Sequence, residues 1–238
     1  MPRLDAILFD MGGTLDGRGG WRDRSRRLFL ELGLGRVPHE QHLAAFDYAE
    51  AQSQRAGEMP GAGLREMLQL HIGWQLESLG IDDRPLVRAF VDRFVADAEQ
   101  AAAVNRTVLA ALAARGYRLG IVSNACGNVA ALCGEFGYRP HLSAIVDSYW
   151  FGLAKPDPAI FTHALALLQA SAERTAFVGD SLEHDVRPAK RLGMTTIWIA
   201  DPGRGAEARG DADIVIDSVG ELPDHLPAAA TRAASHCS

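Results

Sequence analysis

The chain alternates between short, uniformly apolar runs and longer stretches in which apolar residues return every three or four positions. Residues 6–10 (AILFD), 117–124 (YRLGIVSN), 175–180 (TAFVGD), 195–200 (TTIWIA) and 213–217 (DIVID) are of the first kind. Apolarity that is continuous marks a strand whose sheet is covered on both faces, as parallel sheets are. Residues 144–148 (AIVDS) fit either a further short strand or a loop. Helical stretches lie between the runs, for example 106–116 (RTVLAALAARG) and 159–170 (AIFTHALALLQA). This alternation predicts an α/β fold, a doubly wound parallel sheet with right-handed crossovers.

Residues 16–100 break the alternation. Only helical periodicity is found there, in segments 21–35, 39–57, 64–80 and 84–103, each closing near a glycine or a polar turn. The stretch is far too long for an ordinary strand-to-helix connection, so it is predicted to be a helical subdomain inserted after the first strand. The expected division is residues 1–15 and 101–227 for the α/β core and 16–100 for the insertion. Residues 228–238 lack any period and are expected to form a flexible tail.

Composition narrows the function classes. Of 238 residues, 47% are apolar and 23% charged, ordinary for a globular protein and too apolar for disorder. A net charge of -6 argues against nucleic-acid binding, which recruits basic surfaces, but leaves room for a locally positive pocket that takes a small anion. No apolar run approaches the roughly 20 residues a membrane span needs, and the N-terminus lacks the pattern of a signal peptide. Three scattered cysteines, Cys126, Cys133 and Cys237, read as reduced thiols and point to a cytoplasmic location. Lysine occurs only at positions 155 and 190.

Four segments carry candidate chemistry. Asp10 closes the first apolar run, before "MGGTLDG", at the carboxyl end of a predicted strand, where ligands of open α/β sheets bind. Alone it fits a turn-capping Asp equally well. Ser123 and Asn124 end another run, and a hydroxyl with neighbouring N–H groups can cradle an anionic oxygen. Lys155 lies in the loop "GLAKPDP"; its compact charge suits a phosphate or a crowded carboxylate. An ordinary turn and a solvated lysine are the commoner readings of these two taken singly. Asp180 ends a further run in "VGDSLEHD", with Asp185 five residues on, and paired carboxylates are what Mg²⁺ takes together with phosphate and water.

In this order the four resemble the motifs of the haloacid dehalogenase superfamily over nearly the whole chain. Asp10, Gly13 and Thr14 match its first motif, Ser123 its second, Lys155 and Pro156 its third, Asp180 and Asp185 its fourth. The helical insertion resembles that family's cap. The resemblance implies a Rossmann-like core and an Mg²⁺-dependent phosphatase acting on a small phosphorylated metabolite. Asp10 would be the nucleophile that forms an aspartyl-phosphate. Ser123, Lys155, Gly13, Thr14 and Asn124 would bind phosphate, and Asp10, Asp180, Asp185 and the backbone carbonyl of Gly12 would hold the metal. No nucleic-acid or membrane partner is expected.

The chain departs from that pattern at Gly12, where most of the family's phosphatases carry a second Asp that serves as general acid and base. Such a group contributes about 10²–10⁴-fold. His184 and Asp16 are candidate substitutes. Carbon–halogen hydrolysis needs no leaving-group proton and stays a rival, although Asp180 counts against it. A weakened scaffold that binds phosphate or a partner is the other. Arg18, Arg22 and Arg24 open the insertion and could meet an anion or form a solvated face; His71 and Trp74 read as core, and Cys126 is given no catalytic role.

Overall fold

A computed structural model describes residues 3–200 and 210–226. Among these, six parallel strands form one sheet in the order β3-β2-β1-β4-β5-β6. They are β1 (Ala6–Phe9), β2 (Arg118–Ser123), β3 (Leu142–Asp147), β4 (Thr175–Gly179), β5 (Thr195–Ile199) and β6 (Ile214–Ile216). Residues 142–147 are thus strand rather than loop. The uniform apolarity has its expected cause. Ile7 and Phe9 join one buried cluster with Leu119, Ile121 and Val178, whereas Ala6 and Leu8 join another on the opposite face with Val122, Phe177 and Phe161.

Helices α1 (Trp21–Glu31), α2 (His39–Ser53), α3 (Leu64–Ser78) and α4 (Arg84–Ala114) follow β1. The remainder, α5 (Val129–Glu135), α6 (Ser148–Phe151), α7 (Pro158–Leu168), α8 (Arg187–Arg191) and α9 (Leu222–His225), flank the later strands. The sequence suggested separate helices at 84–103 and 106–116; the structure joins them in the single α4. No glycine or proline lies between Leu86 and Ala114 to break it, and Asp83 starts it by accepting a hydrogen bond from the Leu86 N–H at 2.9 Å. Phe29, Leu68, Phe90 and Phe94 from this helical layer share one apolar cluster with the sheet residues Ile7 and Phe9. Among the described residues no helix is long and apolar enough to cross a membrane. Cys237 and the tail at 228–238 lie outside the described residues.

Candidate active site

Strand register builds the site. Phe9 of the central β1 aligns with Ile121 of β2 and Val178 of β4, so the residues that follow these positions emerge along one edge of the sheet. Asp10, Ser123 and Asp180 come from those three ends. The Asp10 N–H donates to the Val178 carbonyl at 2.9 Å, which extends the ladder to the carboxylate itself.

Two glycines make room for the acids. A Cβ at Gly13 (φ +80°) would lie 2.5 Å from Asp180 Oδ2, and one at Gly179 would collide with the Asp185 carboxylate. Both positions therefore exclude any larger residue. Asp185 sits in a π-helical turn, Leu182–Val186, where Oδ2 accepts the Ser181 N–H at 3.0 Å.

Lys155 arrives from the loop between α6 and α7. Its N–H donates to Asn124 Oδ1 at 2.7 Å, and Asn124 Nδ2 returns a bond to the Lys155 carbonyl at 2.8 Å. So held, the ammonium reaches Asp10 Oδ1 at 2.5 Å and Asp185 Oδ1 at 2.7 Å, with all three side chains buried. Thr14 Oγ1 stands 3.5 Å from the other Asp10 oxygen.

The cluster carries more acid than one lysine neutralises. Asp10, Asp180 and Asp185 each offer an oxygen within 4.8 Å of the others. Burial pushes Asp10 above the usual carboxylate range against the pull of Lys155, and the neighbouring Asp185 adds to the rise. Asp180 is raised by burial and by the charges of Asp10 and Asp185. Burial would lower Lys155, but Asp10 and Asp185 raise it on balance. Converging hard oxygen donors with an unmet negative charge fit a divalent cation such as Mg²⁺.

A cavity of about 410 Å³ opens on this cluster. Asp10, Gly12, Ser123, Asn124, Lys155, Asp180, His184 and Asp185 all line it. Two expected phosphate binders do not: Gly13 and Thr14 border a separate cavity. The reason is local, since the Gly13 N–H turns to donate to Asp16 Oδ1 at 2.7 Å and the Thr14 hydroxyl faces Asp10. Asn124 reaches the wall, but its amide is taken up by the Lys155 backbone. Asp16 is buried with both oxygens engaged, by Gly13, by Trp21 Nε1 at 2.5 Å and by Arg24 at 3.1 Å. It lines the same cavity as Asp10, and these bonds tie the loop together. His184 is exposed, with Nδ1 3.1 Å from Ser181 Oγ. Arg18 points away to the Ala200 carbonyl and Asp217.

The helical layer supplies the opposite wall, which sequence reasoning left blank. Trp21, Phe46, Glu50, Met67 and His71 belong to it. Trp21 covers Gly12: a Cβ there would lie 3.2 Å from both Cδ1 and Nε1 of the indole. His71 is buried as expected, yet it also borders the cavity. Cys126 lines the cavity too, but burial pushes its thiol up to about 12, leaving it protonated and without nucleophilic character.

The family model for haloacid dehalogenase-like hydrolases matches residues 4–193. A glyceraldehyde 3-phosphate phosphatase of Methanocaldococcus jannaschii is 36% identical over 92 residues, 38% of this chain and 40% of that protein. An N-acetylmuramic acid 6-phosphate phosphatase of Pseudomonas aeruginosa is 27% identical over 235 residues, 94% of this chain and 95% of that protein. The aligned part of the chain thus spans well under half of the first relative and nearly all of the second. A crystal structure of a dehalogenase with an intermediate complex superposes with a TM-score of 0.63 at 20% identity, covering 95% of this chain and 98% of that one, a likeness of fold.

Proposed function

The chain belongs to the haloacid dehalogenase-like hydrolases, and from that premise we propose that it is a phosphatase acting on a small phosphorylated metabolite through Asp10. The observation that carries this reading is the convergence of Asp10, Lys155, Asp180 and Asp185 from three separate segments on one cavity. The phosphatase names of two relatives support it.

The Asp10 carboxylate attacks phosphorus in line, the ester or anhydride oxygen departs, and water then cleaves the aspartyl-phosphate. Lys155, fixed by Asn124, orients Asp10 and offsets the negative charge of an incoming phosphoryl group. The Ser123 hydroxyl lies on the cavity wall to bind a phosphoryl oxygen. Asp10, Asp180 and the Gly12 carbonyl are the groups that would hold Mg²⁺, with Asp185 bracing Lys155 and within reach as a further donor. When bound, the ion supplies charge neutralisation at the phosphoryl oxygens. Residues 16–100 act as a cap that closes the cavity to water.

Gly12 brings no acid to the leaving group, and Asp16 is already bound up. Substrates whose leaving groups depart without a proton, aryl and acyl phosphates, are therefore turned over fastest. Carbon–halogen hydrolysis has no use for a third carboxylate such as Asp180. The test is hydrolysis of p-nitrophenyl phosphate and acetyl phosphate with and without Mg²⁺. Turnover that depends on the ion, and falls on the order of 10⁴-fold in Asp10→Asn, is expected. Equal turnover by Asp10→Asn would end the proposal.

A further inference from the structure

The helical layer buries a line of polar groups for which the phosphoryl chemistry has no use. His42 Nε2 lies 3.2 Å from Ser25 Oγ, which donates to Gln75 Oε1 at 3.0 Å. Gln75 Nε2 lies 2.9 Å from His71 Nδ1, and His71 Nε2 lies 3.1 Å from Glu50 Oε1. His42, Ser25, Gln75 and His71 are buried; the Glu50 side chain is 48% exposed and borders the cavity that holds Asp10.

One direction of donation satisfies every link. The single Ser25 proton goes to Gln75, so Ser25 accepts from His42. The Gln75 amide nitrogen can only donate, so His71 Nδ1 accepts and the proton of the neutral ring sits on Nε2, facing Glu50. His42 Nδ1, buried and without a partner among the described residues, is then the start of the chain. Bonds that all run one way polarise one another. This chain therefore delivers its donors to Glu50 and fixes that carboxylate as an acceptor on the cavity wall, with Oε2 taking no hydrogen bond among the described residues. Arg22, which lines the same cavity, pairs with Asp47.

We propose that Glu50 recognises the departing part of the substrate and selects hydrogen-bond donors, an ammonium ahead of a hydroxyl. This rests on the phosphatase reading for the identity of the other end of the ligand. An ionised carboxylate only accepts, and its bond to a cationic donor is the stronger kind. His71 is a positioning residue that holds Glu50 through Oε1 and leaves Oε2 to the ligand. The substrate class is a phosphorylated compound whose leaving group bears an amine or hydroxyl.

The test compares phosphoethanolamine, glycerol 3-phosphate and phenyl phosphate in the presence of Mg²⁺, by titration calorimetry and by phosphate release. In Glu50→Gln the amine probe should weaken about tenfold or more, as for a lost hydrogen bond to a charge, the glycerol probe less, and phenyl phosphate least. His71→Gln should raise KM for the amine by a larger factor than KM for phenyl phosphate. Equal losses for all three probes, or wild-type preference for phenyl phosphate in binding, overturn the assignment. If binding follows the expected order but no phosphate is released, the phosphatase reading fails and the Glu50 assignment stands. Release without that order overturns the Glu50 assignment and leaves the phosphatase reading standing.

Discussion

Two regions of this molecule bury polar groups, and they solve the same problem in opposite ways. At the strand ends, Lys155 stays in contact with Asp10 and Asp185, all three buried, and Asp180 adds a further acid. In the helical layer, His42 is held neutral, its pKa pushed down to about 4 by burial and by nearby Arg26. Desolvation opposes charge in both places. Only the first keeps an arrangement that burial penalises, and such retention is a mark of a working site. The second relaxes into neutral hydrogen bonds and serves as framework up to its last residue, Glu50.

Removing the lysine should break this contrast most severely. Lys155→Met strands two buried carboxylates, an effect of about 3–5 kcal/mol on unfolding free energy. The loss should be largest near pH 8 and shrink as pH falls through about 7, where Asp10 takes up a proton. A loss independent of pH in urea titrations would mean that the ammonium acts through packing alone.

The pH dependence of wild-type stability separates the regions by sign. His42 binds a proton more readily unfolded than folded, so its contribution is full above pH 6.5 and drains away as pH falls toward 4, by about 3 kcal/mol in all. Asp10 and Asp180, raised in the folded state, act the other way: their contribution is present at low pH and lost as pH rises through their folded values. Subtracting the profile of His42→Gln from that of the wild type should isolate a slope confined to the window between pH 4 and 6.5. A flat difference would show that the histidine is not held neutral.

The smallest effect sharpens the boundary between the regions, where Trp21 lies on Gly12. Gly12→Asp alone should be destabilised by about 1–3 kcal/mol, because the new side chain overpacks the indole. Adding Trp21→Ala should recover part of that, with a coupling of about 0.5 kcal/mol or more. The double variant should also gain alkyl phosphate hydrolysis over either single change. Additive losses would mean that position 12 and the indole do not compete for space.

Much of this was legible in the sequence, for a reason that also sets the limit. Asp10, Ser123 and Asp180 follow predicted strands, and parallel sheets bring such ends to one edge; Lys155 and Asp185 were joined to them only by the resemblance of the four motifs in their order. Gly13 and Thr14 border the other cavity because a turn decides within a few residues which way each N–H points, which no spacing reveals. Asp16 was offered as an acid because its partners, Trp21 and Arg24, lie across a loop whose path no periodicity encodes. The chain ending at Glu50 draws on α1, α2 and α3, and only its Gln75–His71 step, four residues apart on one helix, has a signature in the sequence. The stretches read separately at 84–103 and 106–116 run on as one helix, because a helix ends only where something terminates it and nothing does so between them.

That unbroken α4 has mechanical consequences. At 31 residues it is a rod of roughly 46 Å. Near one end Phe90 packs on Phe29, and just past the other Arg115 donates to the carbonyls of Pro223 and Leu226. The return path of the helical layer is therefore a stiff shaft anchored in both halves of the molecule, while the outgoing path runs through the glycine-rich turn at 17–20. Swinging the layer away from Asp10 cannot resemble a clamshell on two loose straps. It must pivot at that turn and flex or roll the shaft, so stiffness along α4 sets how far the entrance can widen.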